Sequence, residues 1–165
     1  MATKKQKTDR PSGVIAFNRK ARRNYTILET FEAGIVLLGT EVKSIRNSKV
    51  DLSAGFANSE NNDLILNNIH IKLYEYGHQF NHEPRRPRRL LLHRREINRL
   101  IGKTVVKGLT LIPLSLYFNP RGKVKVELGL CRGKNLVDKR DTLRQKTAER
   151  EAERAISSRL HSGSH

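Results

Sequence analysis

The chain has 165 residues, of which 33 are Lys or Arg and 16 are Asp or Glu, so its formal charge is +17 at pH 7. Hydrophobic residues make up 36% of the chain, and no apolar run is long enough for a transmembrane helix, which excludes a protein with such helices. Its single cysteine, Cys131, excludes an internal disulfide and a thiolate zinc site. The length predicts one domain with basic extensions, or one small domain and nothing more. No apolar segment follows the basic N-terminus, so we expect a cytoplasmic protein.

The positive charge is concentrated in two short segments. Residues 1–24 hold eight basic residues and one acidic residue, and residues 84–108 hold nine and one. Charge arranged in this way indicates that a polyanion binds across both segments. Nucleic acid is the leading candidate, and an anionic membrane surface is the alternative.

In the first half of the chain, residues 1–12 are polar and predict a disordered arm. A short basic helix is predicted over residues 18–24, with Asn18 as its N-cap. Residues 25–32 and 35–38 predict two strands, interrupted at Gly34. Val42 and Ile45, three residues apart, predict a one-sided helix over residues 40–46.

In the second half, residues 55–58 and 64–71 predict strands joined by a turn over residues 59–63, and residues 72–76 continue the sheet. Residues 77–89 predict an exposed loop, and residues 90–101 a helix that ends at Gly102. Strands over residues 111–119 and 123–131 form a hairpin around the turn at residues 119–122. Residues 134–165 are rich in Arg, Glu and Ala, and we expect this tail to be disordered until it binds a partner.

The predicted fold is mainly β: five to seven short strands in about 120 residues favour a small closed antiparallel barrel of the oligonucleotide-binding (OB) type, with two or three short helices. An open sheet with helices on one face is the alternative. The predicted organisation is a disordered arm over residues 1–12, a barrel over residues 13–133 and a basic tail over residues 134–165.

The chain contains none of the common nucleotide-binding, hydrolase or zinc-protease motifs. His78 and His82 are four residues apart, but they lie in a Pro-rich segment where this spacing is not a helical metal site. We therefore predict a binding protein without catalysis, metal or cofactor, with a small nuclease as the most distant alternative. The arginines of residues 85–95 suit phosphate groups, with a solvated loop as the alternative. Tyr25 next to the basic helix offers a ring for stacking, with a position in the core as the alternative.

Several separated motifs carry a family resemblance. They are Gly-Thr-Glu-Val-Lys-Ser-Ile-Arg at residues 39–46, Ile-Ala-Phe-Asn-Arg-Lys-Ala-Arg at 15–22, Phe-Glu-Ala-Gly-Ile at 31–35, Arg-Leu-Leu-Leu-His-Arg-Arg-Glu at 89–96 and Leu-Ser-Leu-Tyr at 114–117. In these motifs and their order the chain resembles the SmpB family, the bacterial partners of transfer-messenger RNA (tmRNA, or SsrA RNA). The family's tail pattern, Gly-Lys-Lys-x-x-Asp-Lys-Arg, is met from Gly133 to Arg140, except that Asn135 replaces the second lysine. Val137 stands where members often carry a ring able to stack.

The resemblance implies that the protein binds the tRNA-like domain of tmRNA and delivers it to stalled ribosomes for trans-translation (ribosome rescue). The barrel would take the place of the missing anticodon arm, and the tail would become helical in the empty decoding site and mRNA channel. The implied RNA contacts are Asn18, Arg19, Lys20, Arg22, Arg23, Tyr25, Glu32, Lys43, Arg46, Arg88, Arg89, Leu91 and His93. The implied ribosome contacts of the tail are Lys134, Asp138, Lys139, Arg140 and Ile156.

The implied partners are tmRNA and the 16S rRNA of the ribosome. Alanyl-tRNA synthetase and elongation factor Tu would be involved only through the charged RNA, and we expect a monomer. A general RNA-binding barrel, such as an initiation-factor-like protein or an RNA chaperone, is the alternative function. It would need neither the motif around Glu41 nor the tail motif at residues 138–140.

Overall fold

The computed structural model describes residues 13–47 and 49–162 of the chain. Within this part the strands are β1 (Val14–Phe17), β2 (Tyr25–Ile35), β3 (Val50–Asp51), β4 (Phe56–Glu60), β5 (Asp63–Asn67), β6 (His70–Ile71), β7 (Arg88–Leu91), β8 (Thr110–Phe118) and β9 (Val124–Gly133). The helices are α1 (Arg19–Asn24), α2 (Gly39–Arg46), α3 (Arg94–Lys107) and α4 (Leu136–Ser162), with a 3-10 turn at His78–Phe80. The prediction of a mainly β protein with short helices is confirmed, although the described part holds four α-helices. The predicted arm at residues 1–12 lies outside the described residues.

The antiparallel strands pair around a ring. The order is β8, β4, β5, β7, β2 and β9, and β9 pairs again with β8. Strand β1 pairs with residues 115–117 of β8, beyond the pairing of β4 with Leu111, while β3 and β6 form a separate pair. The core consists of aliphatic side chains that are almost completely buried, among them Leu64, Leu66, Leu90, Leu116 and Leu128. The ring therefore gives these strands hydrogen-bonded neighbours around the main core, and a smaller buried cluster forms between α1 and the strands β8 and β9.

Local turn chemistry predicted both hairpins of the ring. Between β8 and β9, the N–H of Gly122 donates to the carbonyl of Asn119 at 2.9 Å, and Gly122 has a φ of +74° that suits a residue without a side chain. Between β4 and β5, Asn61 and Asn62 have φ values of +50° and +63°, as a two-residue hairpin turn requires. These two hairpins are confirmed, with strand ends shifted by a few residues.

Strand β2 has no break at Gly34, where the sequence predicts one. The strand is continuous through residue 35, and Gly34 pairs with Leu91 of β7. A Cβ atom at Gly34 would lie 3.1 Å from the Cβ of Leu91. The glycine therefore allows a close approach of two strands and does not end one.

The segment from residue 72 to residue 108 differs most from its prediction. Residues 72–76 are not a strand, and residues 88–91 form β7 instead of belonging to a loop and a helix. Helix α3 begins only after His93, whose N–H donates to the carboxylate of Glu96 at 3.2 Å. It continues through Gly102 and ends at Gly108, whose φ of +60° is typical of a residue after a helix.

The tail is helical from Leu136 to Ser162. The sequence predicts a tail that is disordered in the free protein, and its Arg, Glu and Ala content explains why it takes a helix when it is ordered. Residues 140, 141 and 143–157 are all exposed, so that this stretch of α4 buries little surface against the rest of the described chain.

Candidate nucleic-acid interface

Helix α1 is held at its start by a buried asparagine. Asn18 accepts a hydrogen bond from the N–H of Ala21 at 3.0 Å, which confirms its prediction as the N-cap. Its amide donates to the carbonyls of Leu52 and Pro113, each at 3.0 Å. Because Asn18 is 4% exposed and its amide is fully used, we assign it a positioning role in place of the predicted RNA contact. Its hydrogen bonds fix a helix whose basic side chains are all exposed, namely Arg19, Lys20, Arg22 and Arg23.

A cleft of about 510 Å³ separates the end of α1 from the start of α4. It is lined in part by Arg22, the half-buried Tyr25 and Lys134. The backbone N–H of Lys134 donates to the carbonyl of Asn24 at 3.0 Å, and its Nζ lies 3.3 Å from the carbonyl of Arg22. The structure thus adds Lys134, predicted as a tail residue, to the basic surface of α1. We call Arg19, Lys20, Arg22, Arg23, Tyr25 and Lys134 the helix surface.

A second concavity, of about 440 Å³, lies where β2, β7 and β9 meet. It brings together Glu32, Leu91 and His93, three residues that the resemblance placed in one RNA surface. Leu91 is 47% exposed although it is apolar. Leu92, Glu96 and Lys125 also line this concavity. We call Glu32, Leu91, His93 and Lys125 the strand cleft.

The carboxylate of Glu32 is held in place by two neighbours. The hydroxyl of Tyr117 donates to Glu32 Oε2, and Lys125 Nζ lies 3.8 Å from Oε1. Burial first, and then the hydrogen bond to Glu32, raise the pKa of Tyr117 far above its usual value, so that the hydroxyl remains a donor at neutral pH. Glu32 is therefore an oriented acceptor beside Lys125, able to receive a hydrogen bond from a base amino group or a ribose hydroxyl.

Lys125 is not among the site residues predicted from the sequence. The alternation along β9 placed it on the solvent face, but only the pairing of Gly34 with Lys125 brings it to the β2 side of the cleft. The strand register was the missing information, because a spacing within one strand says nothing about the neighbouring strand.

The helix surface and the strand cleft lie at opposite ends of β2. Tyr25 begins the strand and Glu32 follows seven residues later, which corresponds to about 23 Å at 3.3 Å per residue. A ligand that contacts both surfaces must cover this length.

Arg88 is buried, so its prediction as an RNA contact is corrected. Its side chain has no exposed surface, and its Nε and Nη2 lie 2.8 and 2.6 Å from Glu41 Oε1. Arg86 binds the same carboxylate with Nε to Oε1 at 2.9 Å and Nη2 to Oε2 at 2.6 Å. Burial by itself would raise the pKa of Glu41, but the hydrogen bonds from Arg86 and from the N–H of Leu38, with the charge of Arg88, hold it below its usual value. Glu41 and Arg88 thus join α2 to β7 inside the core.

Other predicted contacts lie apart from the two surfaces. Lys43 on α2 places its Nζ 5.3 Å from the ring centroid of Tyr74, and Arg46 is exposed on the same helix. Arg89 is exposed with its Nε 3.6 Å from Asp63. In the tail, Arg140 and Ile156 are exposed on α4, while the side chains of Asp138 and Lys139 lie outside the described part.

The structure separates the two histidines that share a four-residue spacing. His78 is exposed in the 3-10 turn, whereas His82 is buried with Nε2 donating to the carbonyl of Ile71 and Nδ1 paired with the hydroxyl of Thr40, each at 3.0 Å. Among the described residues, no three His, Cys, Asp or Glu side chains form a group able to hold a metal ion. None of the described helices combines the length and the apolar character that crossing a membrane requires.

A ring of antiparallel strands that presents exposed guanidinium and ammonium groups at one end of β2 and an oriented carboxylate beside Lys125 farther along it is typical of a nucleic-acid-binding protein. The model of a family described as "SmpB protein" matches residues 15–158. The chain therefore belongs to the SmpB family.

Relatives in two bacteria agree with this assignment. An "SsrA-binding protein" of Moorella thermoacetica is 57% identical over 146 residues, which cover 88% of this chain and 94% of the relative. Another "SsrA-binding protein", from Afipia carboxidovorans, is 52% identical over 154 residues, which cover 93% of this chain and 98% of the relative. A solved chain from "tmRNA-SmpB: a journey to the center of the bacterial ribosome" is 52% identical with a TM-score of 0.64, over 81% of this chain and 96% of that one.

Proposed function

We propose that this protein binds the tRNA-like domain of tmRNA and brings it to stalled ribosomes for trans-translation. The strand cleft is the observation that carries the proposal, because three residues implied by the family resemblance meet there beside Lys125. The names of the relatives support the same partner, since SsrA is tmRNA. The ring of strands supports the assignment as an OB-type barrel, a fold whose faces bind nucleic acid.

The two surfaces have different tasks in this proposal. The exposed cations of the helix surface contact phosphates, which supply affinity and position the RNA. The strand cleft offers a held acceptor in Glu32 and an apolar contact in Leu91, which together suit a base or ribose edge. With the surfaces about 23 Å apart along β2, a folded RNA domain fits better than a short strand.

The tail acts at the ribosome in this proposal. Its side chains at residues 140, 141 and 143–157 are exposed, so α4 has little of the buried apolar face that stabilises most helices in proteins. In the free protein we expect it to be disordered or to fray, and the phosphates of 16S rRNA in the decoding site and mRNA channel would supply the missing contacts. A channel that still holds mRNA would leave no room for the tail, so only stalled ribosomes with an empty channel would accept it.

The protein contributes binding and mimicry of the anticodon arm, and no catalysis is proposed. Alanyl-tRNA synthetase and elongation factor Tu act on the RNA and meet this protein only through it. We propose a monomer that works in the cytoplasm, where ribosomes translate.

Filter binding of the full chain to tmRNA tests the proposal. Lys125→Ala removes a charged contact and should weaken binding about tenfold or more. Glu32→Ala should weaken it as well, while Glu60→Ala, at an exposed acidic residue of the β4–β5 hairpin, serves as the matched control. Equal affinity of the wild type for tmRNA and for an unrelated folded RNA of the same length would contradict the proposal and favour a general RNA-binding protein.

A further inference from the structure

An exposed aromatic patch lies on the segment between β6 and β7, and it lines neither of the two surfaces described above. Tyr76 and Phe80 are 72% and 79% exposed, and Leu73 is 46% exposed. The rings of Tyr74 and Tyr76 lie edge to face with centroids 5.6 Å apart. We call Leu73, Tyr74, Tyr76 and Phe80 the loop patch. Large apolar side chains that are exposed together on one short loop are typical of a binding site.

Hydrogen bonds hold the backbone of the patch. Asn81 accepts from the N–H of Tyr74 at 3.0 Å and donates to the carbonyl of Tyr74 at 2.7 Å, so one side chain closes the loop. The N–H of Gly77 also donates to the carbonyl of Tyr74, and the N–H of Phe80 donates to that of Gly77, each at 3.0 Å. The rings are thus presented on a preformed loop, which lowers the entropy lost on binding.

Helix α2 is hydrogen-bonded to both ends of the loop. The hydroxyl of Ser44 donates to the carbonyl of Lys72, at the start of the loop. His82, at its far end, is buried between the hydroxyl of Thr40 and the carbonyl of Ile71. Both ends of the patch are therefore tied to the same helix and to the β3–β6 pair.

Cationic residues lie on the elements next to the patch. Lys43 Nζ lies 5.3 Å from the centroid of the Tyr74 ring, and Arg46 follows it by three residues on the same helix. Lys49 and Lys72 are hydrogen-bonded neighbours through their backbones. The acidic Glu75 is paired with Lys49 at 2.5 Å. Lys43, Arg46, Lys49 and Lys72 outnumber the two acidic residues of the loop, Glu75 and Glu83, and the remaining positive charge suits a polyanion.

We propose that the loop patch is a second RNA-binding site, which stacks unpaired bases on Tyr76 and Phe80 while Lys43, Arg46 and Lys72 contact the adjacent phosphates. Aromatic rings interleaved with cations are typical of sites for single-stranded nucleic acid, because every base has a face that can stack. A protein partner would use the rings but would not need the four cations. The inference rests on the proposed function, because the second site would let the protein hold an unpaired RNA segment while tmRNA occupies the other two surfaces.

Fluorescence anisotropy with a labelled hexauridylate RNA and the full chain tests this site. The variant Tyr76→Ala/Phe80→Ala should weaken binding of the oligonucleotide about tenfold, because stacking on each ring is lost. Tyr76→Phe/Phe80→Tyr keeps both rings and should bind like the wild type. Val105→Ala, at an apolar side chain of α3 that is 76% exposed, is the matched control and should also leave the affinity unchanged. The affinity of all three variants for tmRNA should equal that of the wild type.

Several outcomes would overturn the proposal. They are no measurable binding of the oligonucleotide by the wild type, unchanged binding by Tyr76→Ala/Phe80→Ala, or an equal loss with Val105→Ala. Loss of tmRNA binding by the double alanine variant would also overturn it, because the patch would then belong to the tmRNA site. If instead the wild type does not bind tmRNA but does bind the oligonucleotide through the two rings, the proposed function fails and the second site stands.

Discussion

Replacing Glu41 by Gln should destabilise the protein more than almost any other change of a single polar residue. The Glu41 carboxylate has no exposed surface and receives Arg88, which is equally buried, and Arg86, which is 23% exposed. The N–H of Leu38 donates to the same carboxylate at 2.8 Å. Glutamine keeps the shape but removes the charge, so Arg88 remains as a buried cation without its counterion.

The magnitude follows from this burial. Removing one partner of a buried ion pair costs about 3–5 kcal/mol. For a protein of this size, such a loss corresponds to a melting temperature lower by about 10 °C. The pKa of Glu41 is lowered by folding, so its contribution is complete above its unfolded pKa and is lost as the pH falls through its folded pKa. The difference between wild type and variant should therefore shrink below about pH 4.

Thermal unfolding followed by circular dichroism, at pH 7 and at several acidic pH values, measures both effects. Glu75→Gln is the matched control, because it removes a carboxylate from an exposed pair with Lys49. Its melting temperature should equal that of the wild type. A Glu41→Gln variant that melts within about 2 °C of the wild type at pH 7 would refute the reasoning, since the buried arginine would then need no counterion.

Three further predictions concern the strand cleft, the helix surface and the tail. Gly34→Ala should lower both stability and tmRNA affinity, because the new Cβ lies 3.1 Å from the Cβ of Leu91. The control Gly39→Ala places its Cβ where no atom lies within 4 Å, so it should change neither quantity in urea unfolding and filter binding. Equal effects of the two changes would contradict the close approach of β2 and β7. The logarithm of the tmRNA affinity should fall linearly with the logarithm of the salt concentration, and Arg22→Ala should reduce that slope by about one unit; an affinity independent of salt would rule out phosphate contacts. A chain that ends at Asn135 should lose little of the helical dichroism of the free protein, whereas a loss matching a helix of 27 residues would show that α4 is folded before it binds.

The sequence predicted those parts of the fold that depend on local chemistry. Asn18 marked the start of α1, and the turn between β8 and β9 could be read from Asn119 to Gly122, since caps and turns involve residues close together in the chain. The position of β7 could not be read in this way. The apolar run from Leu90 to Leu92 fits a buried strand as well as a helix face, and only pairing with β2 and β5 decides between them.

The site was predictable to a similar degree. The family motifs pointed to Glu32, Leu91 and His93, and the structure brings them into one cleft. Arg88 belonged to an arginine-rich run that looked solvated, but its partner Glu41 lies 47 residues away, so its burial could not be read from the neighbouring sequence. The charged residues of this protein therefore fall into three groups: those on the exposed surfaces, the buried pair of Glu41 and Arg88, and those of the tail.

The most direct test of the account compares tmRNA binding with trans-translation in a chain that ends at Asn135. This end point keeps the hydrogen bonds of Lys134 to Arg22 and Asn24, and so leaves the helix surface complete. The tmRNA affinity of the shortened chain should equal that of the full chain, while peptide tagging on stalled ribosomes in a reconstituted translation system should be lost. Tagging at the level of the full chain, or loss of tmRNA binding in the shortened chain, would contradict the division of work between the β ring and the tail.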